Sequence, residues 1–189
     1  MNVQNFEIEG KRLVVIDDAF SFQEIADIYT QVENKSFIKC NIDTLLHNTK
    51  YADVKWTSEI SPNDTFSNVV TQRYFSCIPA LTENTVQLGR QYVNFSTLDT
   101  VDLIHDDCQY NKTDHYTILQ YATFTWQPHW HGETVFYNSN YSEILHSVTF
   151  KPGRIVFFDS SIPHSARVPS KIAEYARYTI ATKLALIKN

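Results

Sequence analysis

Glycine and proline are scarce, four and six among 189 residues, which excludes a collagen-like or linker-rich chain. Basic residues are in deficit. Sixteen Lys and Arg face 21 Asp and Glu, a net charge of −5, so the electrostatic footprint of a general nucleic-acid binder is missing. The longest apolar stretches, such as Leu13 to Ile16 and Ala185 to Ile187, fall far short of the ~20 residues that cross a bilayer. Met1 to Gly10 is polar and acidic where a signal peptide needs a basic end and an apolar run. Three cysteines (Cys40, Cys77 and Cys108) at wide spacing fit neither a disulfide framework nor a zinc knuckle. What is present is a globular composition, 43% apolar and 14% aromatic, at a length that suits one core. The expectation is a single soluble, cytoplasmic domain over residues 1–189, with no membrane or nucleic-acid partner.

No internal repeat or low-complexity tract interrupts the chain. Leu13-Val14-Val15-Ile16, closed by Asp17-Asp18, reads as a buried strand. Ser21 is placed to cap a helix over Phe22 to Glu33. Glu24 completes a capping box, and Phe22, Ile25, Ile28 and Tyr29 share one face. From Cys40 to Ser76 polarity is mixed, which predicts loops with one or two short elements and a turn at Ser61-Pro62-Asn63-Asp64. Pro79 suits the first turn of a second helix running to Tyr92. The pattern then changes. Gln91 to Leu98, Leu103 to Asp107, Tyr116 to Phe124, Glu133 to Tyr137, Ser147 to Phe150, Arg154 to Phe158, His164 to Val168 and Ala176 to Leu186 are short and rich in Val, Ile, Thr, Tyr and Phe. Strands without intervening helices, after a helical N-terminal part, predict a mainly β, α+β protein. Its architecture would be an antiparallel jelly roll with helices on one outer face. Residues 1–92 would supply helical support and substrate-side elements, and 93–189 the jelly-roll core.

Three places along the chain carry chemistry. In Leu103-Ile104-His105-Asp106-Asp107, an extended strand turns His105 and Asp107 to one face, where an imidazole and a carboxylate converge. Alone, such a triplet is usually a solvent-facing strand. Gly153 to Asp159 is a glycine turn into an aromatic strand, and after Pro163 comes His164. A His buried there needs partners for its nitrogens, and a metal and a hydrogen-bond acceptor supply them. A hydrogen-bonded loop His is the plainer alternative. Arg177 lies in an apolar, β-branched strand, and its guanidinium needs an anion if buried, for which a carboxylate suits the planar fork. An Arg at a strand end reaching solvent is the alternative. Taken together, two His and one carboxylate form the facial set that binds non-haem Fe(II) with three positions open.

In order and spacing these residues resemble the 2-oxoglutarate- and Fe(II)-dependent dioxygenases, in their prolyl 4-hydroxylase-like branch. The likeness covers about Gln91 to Leu186 and, more loosely, Leu13 to Phe20. It rests on His105 and Asp107, then on Thr117-Ile118-Leu119-Gln120-Tyr121 with Trp126 and Gly132-Glu133-Thr134. Gly153 to His164 and Arg177-Tyr178-Thr179-Ile180 complete it. The resemblance implies a double-stranded β-helix with iron ligands His105, Asp107 and His164. It implies that Arg177 binds the distal carboxylate of 2-oxoglutarate, that Tyr121 is a second donor to it, and that Thr179 lines the same pocket. The implied activity hydroxylates an unactivated C–H using O2, with ascorbate returning oxidised iron to Fe(II). The implied substrate is prolyl or proline-like, with a free amino acid or other small metabolite as the alternative. Phe157, Phe158, Ile118 and Val156 would wall the site from water.

The chain departs from that pattern in places. His131 stands where the family has the first Gly of a pair, and Ala122-Thr123 replaces Leu-Asn. Lys171 to Glu174 lengthens the hairpin after His164. Arg167 is too close to His164 to reach across a sheet, so Arg177 is the expected clamp. Trp126-Gln127-Pro128-His129-Trp130-His131 reads either as a substrate mouth or adventitious metal site, or as a packed aromatic turn. Tyr141, His146 and Asp114 read as ordinary surface or sheet residues, and Cys108 as an ordinary buried thiol, with oxidation sensitivity beside His105 and Asp107 as the alternative. Two other classes compete: a non-catalytic metal-binding jelly roll and a zinc hydrolase of the cupin sort. A structural metal needs no carboxylate clamp like Arg177, and zinc prefers tetrahedral sites with one open place.

Overall fold

Eleven strands and three helices follow one another in a computed structural model that describes residues 1–40, 55–108 and 114–187. The first half runs β1 (Asn2–Ile8), β2 (Lys11–Asp17), α1 (Phe22–Glu33), β3 (Ile38–Cys40), β4 (Lys55–Glu59), α2 (Thr65–Cys77), α3 (Pro79–Glu83) and β5 (Thr85–Ser96). The second half is all strands: β6 (His115–Tyr121), β7 (Thr134–Tyr137), β8 (Ile144–Val148), β9 (Ile155–Asp159), β10 (His164–Ala166) and β11 (Arg177–Ile187). Eight strands form one antiparallel sheet in the order β1-β2-β9-β6-β11-β5-β4-β3, and three form a second in the order β10-β7-β8. This is the expected jelly roll.

Strand alternation divides the apolar residues between two cores. Val14, Ile16, Ile118, Phe157 and Ile180 turn towards the helices and meet Ile28, Val32, Val70 and Tyr74. Leu13, Val15, Leu119, Val156, Phe158 and Ala181 turn the other way, towards Phe136 and Val148 of the small sheet. Of the four residues expected to wall the site, only Val156 and Phe158 therefore face the space between the sheets. Phe157 and Ile118 are on the helical side because neighbours along a strand point in opposite directions.

Local signals explain several boundaries. Ser21 accepts from the Glu24 backbone N–H while the Glu24 carboxylate accepts from that of Ser21, the capping box expected for α1. Phe22, however, is 72% exposed. As the first helical residue it projects beyond the contact, and Ile28 and Val32 are the residues buried. The helix expected from Pro79 to Tyr92 ends at Glu83, and Thr85 onwards is strand. Pairing with β11 and β4 along β5 overrides a weak helical pattern there. Helix α2 fills part of the stretch expected to be loops with short elements. Asp64 caps it, and Phe66, Val70, Tyr74 and Cys77 form its buried stripe. The first 92 residues thus supply four whole strands and most of a fifth to the main sheet, as well as helical cover. No helix among the described residues is long and apolar enough to cross a membrane.

Candidate active site

The segment Leu103–Asp107, expected as a strand, is instead a loop carrying a single antiparallel bridge. The N–H of His105 donates to the carbonyl of His164 at 3.0 Å and the N–H of His164 to that of His105 at 2.8 Å, while the Asp107 N–H donates to Ser160 O at 2.8 Å. These three bonds replace a ladder. They bring His105, Asp107 and His164 together at the open end of the space between the sheets.

Each imidazole is oriented by the carbonyl two residues before it. Nδ1 of His105 lies 2.8 Å from Leu103 O, and Nδ1 of His164 lies 2.9 Å from Ile162 O. A carbonyl only accepts, so each Nδ1 carries a hydrogen and each Nε2 is the ring nitrogen turned towards Asp107. Nε2 of His105 is 4.0 Å from Asp107 Oδ1, and Nε2 of His164 is 3.5 Å from Asp107 Oδ2. One donor atom from each of the three side chains lies within 4.8 Å of the others, close enough to share one metal ion. Two imidazoles and a carboxylate suit non-haem iron.

The surroundings favour the protonation states a metal requires. Burial against the Phe158 ring, 4.9 Å away, pushes His164 down to about 4, with the Asp107 charge opposing, so its ring is neutral near pH 7. Burial would raise the Asp107 carboxyl, but the Lys183 ammonium, as the leading opposing charge and a hydrogen-bond donor, more than offsets this and holds it well below the usual carboxylate range. Asp107 Oδ2 accepts from Thr117 Oγ1 at 2.8 Å and from the Lys183 ammonium. Thr117 Oγ1 in turn lies 3.0 Å from Ser160 Oγ.

Arg177 opens β11 on the inward face and is 1% exposed. Its Nε donates to Gly132 O at 2.7 Å and its Nη2 to Thr134 Oγ1 at 3.2 Å, with the Tyr121 and Phe150 rings 5.5 and 5.7 Å from its Cζ. Among the described residues no carboxylate lies within 4 Å of the guanidinium. Desolvation lowers its pKa, which is the signature of a buried cation short of an anion. Gly132 has φ +82°, and a Cβ there would come 2.9 Å from Trp126 and 3.4 Å from Arg177 Cδ, so glycine is what lets the arginine pass. Arg167 is exposed on the surface.

The Tyr121 hydroxyl is fully buried and contacts Thr134 Oγ1 at 2.8 Å and Val148 O at 3.1 Å, so its one hydrogen is engaged within the fold. Thr134 Oγ1 thus links Tyr121 to Arg177, from which it accepts. Thr179 shares the Arg177 face, and its Oγ1 is buried with no partner among the described residues. The same holds for Oδ1 of Asn94, its direct neighbour across the β5–β11 pair. Orphaned buried polar atoms beside a buried cation mark a place for a polar ligand.

Sequence reasoning missed Lys183, Thr117, Thr134, Asn94 and Asp102. Lys183 left one signal, its even spacing from Arg177 on the same strand, hence the same face. Asp102 left none. It is a buried carboxylate that pairs with Lys55, accepts from the Ala166 N–H and lies 3.9 Å from His105 Nδ1. The tryptophan-rich stretch is a packed aromatic turn. Trp126 and Trp130 are buried edge to face at 5.4 Å, Trp126 Nε1 donates to His131 O, and His129 and His131 are exposed. A cleft of about 330 Å³ between α1 and α2, lined by Phe20, Ile28, Phe66 and Val69, lies on the helical side, away from the triad.

No family model matches the chain, and no curated protein does. Solved structures do. HygX from Streptomyces hygroscopicus with nickel and 2-oxoglutarate bound superposes with a TM-score of 0.65 at 12% identity, covering 92% of this chain and 82% of that one. An oxidoreductase of the 2OG-Fe(II) oxygenase family from Burkholderia pseudomallei gives 0.65 at 12% over 92% and 84%. A Pseudomonas putida prolyl-4-hydroxylase gives 0.60 at 14% over 94% and 92%. At these identities the likeness is one of fold: the chain has the jelly roll of these oxygenases.

Proposed function

We propose that this chain is an Fe(II)- and 2-oxoglutarate-dependent oxygenase that hydroxylates an unactivated C–H bond, with His105, Asp107 and His164 as the iron ligands. Arg177 is the observation that carries the reading. A guanidinium buried without a carboxylate of its own, beside orphaned Thr179 and Asn94 oxygens, suits the distal carboxylate of a dicarboxylic co-substrate. A structural metal site or a tetrahedral zinc centre has no use for such a group.

Fe(II) at the triad supplies the activation of O2 that couples decarboxylation of 2-oxoglutarate to C–H oxidation. The chain's own residues supply geometry and electrostatics. The Leu103 and Ile162 carbonyls hold both imidazoles with Nε2 inward, and Thr117 orients Asp107 through Oδ2. Arg177 grips the far carboxylate, with Thr134 and Thr179 lining its pocket. Tyr121, in this reading, donates to the same carboxylate by exchanging its bond to Thr134. Val156, Phe158 and Leu119 exclude water from behind. The substrate is a prolyl or proline-like molecule, with a free amino acid or other small metabolite as the alternative, and ascorbate keeps the metal reduced.

Anaerobic titration with Fe(II) and 2-oxoglutarate tests this. A visible charge-transfer band is expected in the wild type, absent in His164→Ala and weaker in Arg177→Ala, and a wild type without the band sinks the proposal. Succinate release screened over proline-containing peptides, free amino acids and nucleotides then identifies the substrate class.

A further inference from the structure

The site holds one cation more than the reading above employs. Lys183 lies on β11 at even spacing from Arg177, on the same inward face. A β-bulge marks its position. Thr182 pairs with Gln91 and Leu184 with Leu88, so β5 carries the extra residue and Gly89 and Arg90 together oppose Lys183, while the unbroken pairing with β6 sets Lys183 opposite Thr117. A Cβ on Gly89 would stand 3.1 Å from the Lys183 carbonyl oxygen, which is why the close side of the bulge is glycine. The ammonium bonds Asp107 Oδ2, lies 3.3 Å from Thr117 Oγ1 and sits 5.9 Å from the centre of the Tyr92 ring, over which Arg90 also lies at 4.3 Å. The side chains of Lys183 and His105 are 24% and 23% exposed against 9% for Asp107 and His164, so Lys183 shares the more open side of the cluster with His105.

Neighbouring charges are already matched, Arg90 by Glu59 and Lys55 by Asp102. Among the described residues Asp107 is the one carboxylate paired with Lys183, and a metal would share it. With a divalent ion at the triad and 2-oxoglutarate on Arg177, the positive charges of the ion, Arg177 and Lys183 exceed those of Asp107 and the two co-substrate carboxylates by one unit. A surplus positive charge in a partly desolvated site calls for an anion. We infer that Lys183 receives a carboxylate of the substrate, so that the substrate is an amino or imino acid with a free α-carboxylate rather than an internal residue of a peptide. This deepens the oxygenase reading and rests on it.

The full chain loaded with Ni(II) and 2-oxoglutarate is titrated calorimetrically with a set of amino and imino acids that includes L-proline. Their carboxamides and dipeptides ending in the same residues are titrated alongside. At least one acid should bind tenfold or more tightly than its carboxamide. Lys183→Met should erase that preference and Lys183→Arg should keep it. A dipeptide that binds like the free acid assigns the carboxylate to a peptide C-terminus, and a weaker one assigns it to a free acid. Carboxamides binding as tightly as acids, no acid binding at all, or a preference that survives Lys183→Met each overturn the inference. The first two comparisons use the wild type and hold even where the Met variant misfolds. If the Fe(II)–2-oxoglutarate band is present in the same preparation, such a failure falls on the role of Lys183 alone. If the band is missing, the oxygenase reading itself fails and takes this inference with it.

Discussion

His105 and His164 exchange both of their backbone hydrogen bonds, at 3.0 and 2.8 Å, and this one bridge sets their rings 4.6 Å apart. Residues directly opposite in an antiparallel pair present their side chains to the same face. A single such pair therefore suffices to bring together two imidazoles from distant parts of the chain, and Asp107, held by the Ser160 carbonyl, completes the set.

The anion-free burial of Arg177 has a thermodynamic consequence. Its charge burdens the free fold and is answered only when a carboxylate binds. Arg177→Met should melt within a few degrees of the wild type when free of ligand. The further stabilisation that 2-oxoglutarate adds to the Zn(II)-loaded protein, about 2.7 kcal/mol at a hundred times Kd and read as a rise in melting temperature, should be lost in the variant. Full ligand stabilisation in Arg177→Met would remove this arginine from the co-substrate site.

Thr117 holds one oxygen of Asp107 and thereby presents the other. Hydrogen-bond partners of metal ligands are typically worth about 10- to 100-fold in affinity. Thr117→Val should weaken Co(II) or Zn(II) binding by at least about tenfold in competition with a chelating dye, and Thr117→Ser should restore it. An unchanged affinity in the valine variant would show that the hydroxyl does not orient the ligand.

Arg154 meets Asp17 with two bonds, Nε to Oδ1 at 2.7 Å and Nη2 to Oδ2 at 2.9 Å, and ties β9 to the end of β2. These bonds hold the Asp17 carboxyl below its usual range against the opposing effect of burial. The unfolded chain therefore binds the proton more readily. The pair's contribution is complete above about pH 4, the ordinary Asp range, and is lost as pH falls through the lowered folded value. Arg154→Gln should cost about 2 kcal/mol at pH 7 in urea unfolding, with the deficit shrinking at pH 3 and below. An equal deficit at both pH values would contradict the assignment.

His131 occupies a position with φ 61° and ψ −141°, a region glycine populates freely and a Cβ disfavours. Its side chain is exposed, so little contact is forfeited on removing it. His131→Gly should raise stability by roughly 0.5–1 kcal/mol, the relief of strain exceeding the entropy glycine adds to the unfolded chain. A fall in the urea midpoint would show that the ring is held by interactions that outweigh the strain.

Local chemistry was legible. The Ser21–Glu24 capping box, the β-branched runs and the glycine turn at Gly153 each depend on a few neighbouring residues, and so appear in the sequence directly. His105, Asp107 and His164 were picked out by residue type and order, although Leu103–Asp107 is a loop and the bridge to His164, not strand alternation, brings the three together. The strand identity of Thr85–Tyr92 was not legible, because cross-strand partners decide it and local propensity does not. Nor was the choice of inward neighbours around Arg177.

By itself the sequence determined the capping of α1, most strands of the second half and which residues of each such strand share a face. Tertiary structure alone decided that Lys183 meets Asp107, that Asn94 stands beside Thr179, and that Lys55 answers Asp102. Those contacts depend on register, on a bulge and on the stacking of two sheets. They are set by the packing of residues far apart in the chain, and no local pattern encodes them.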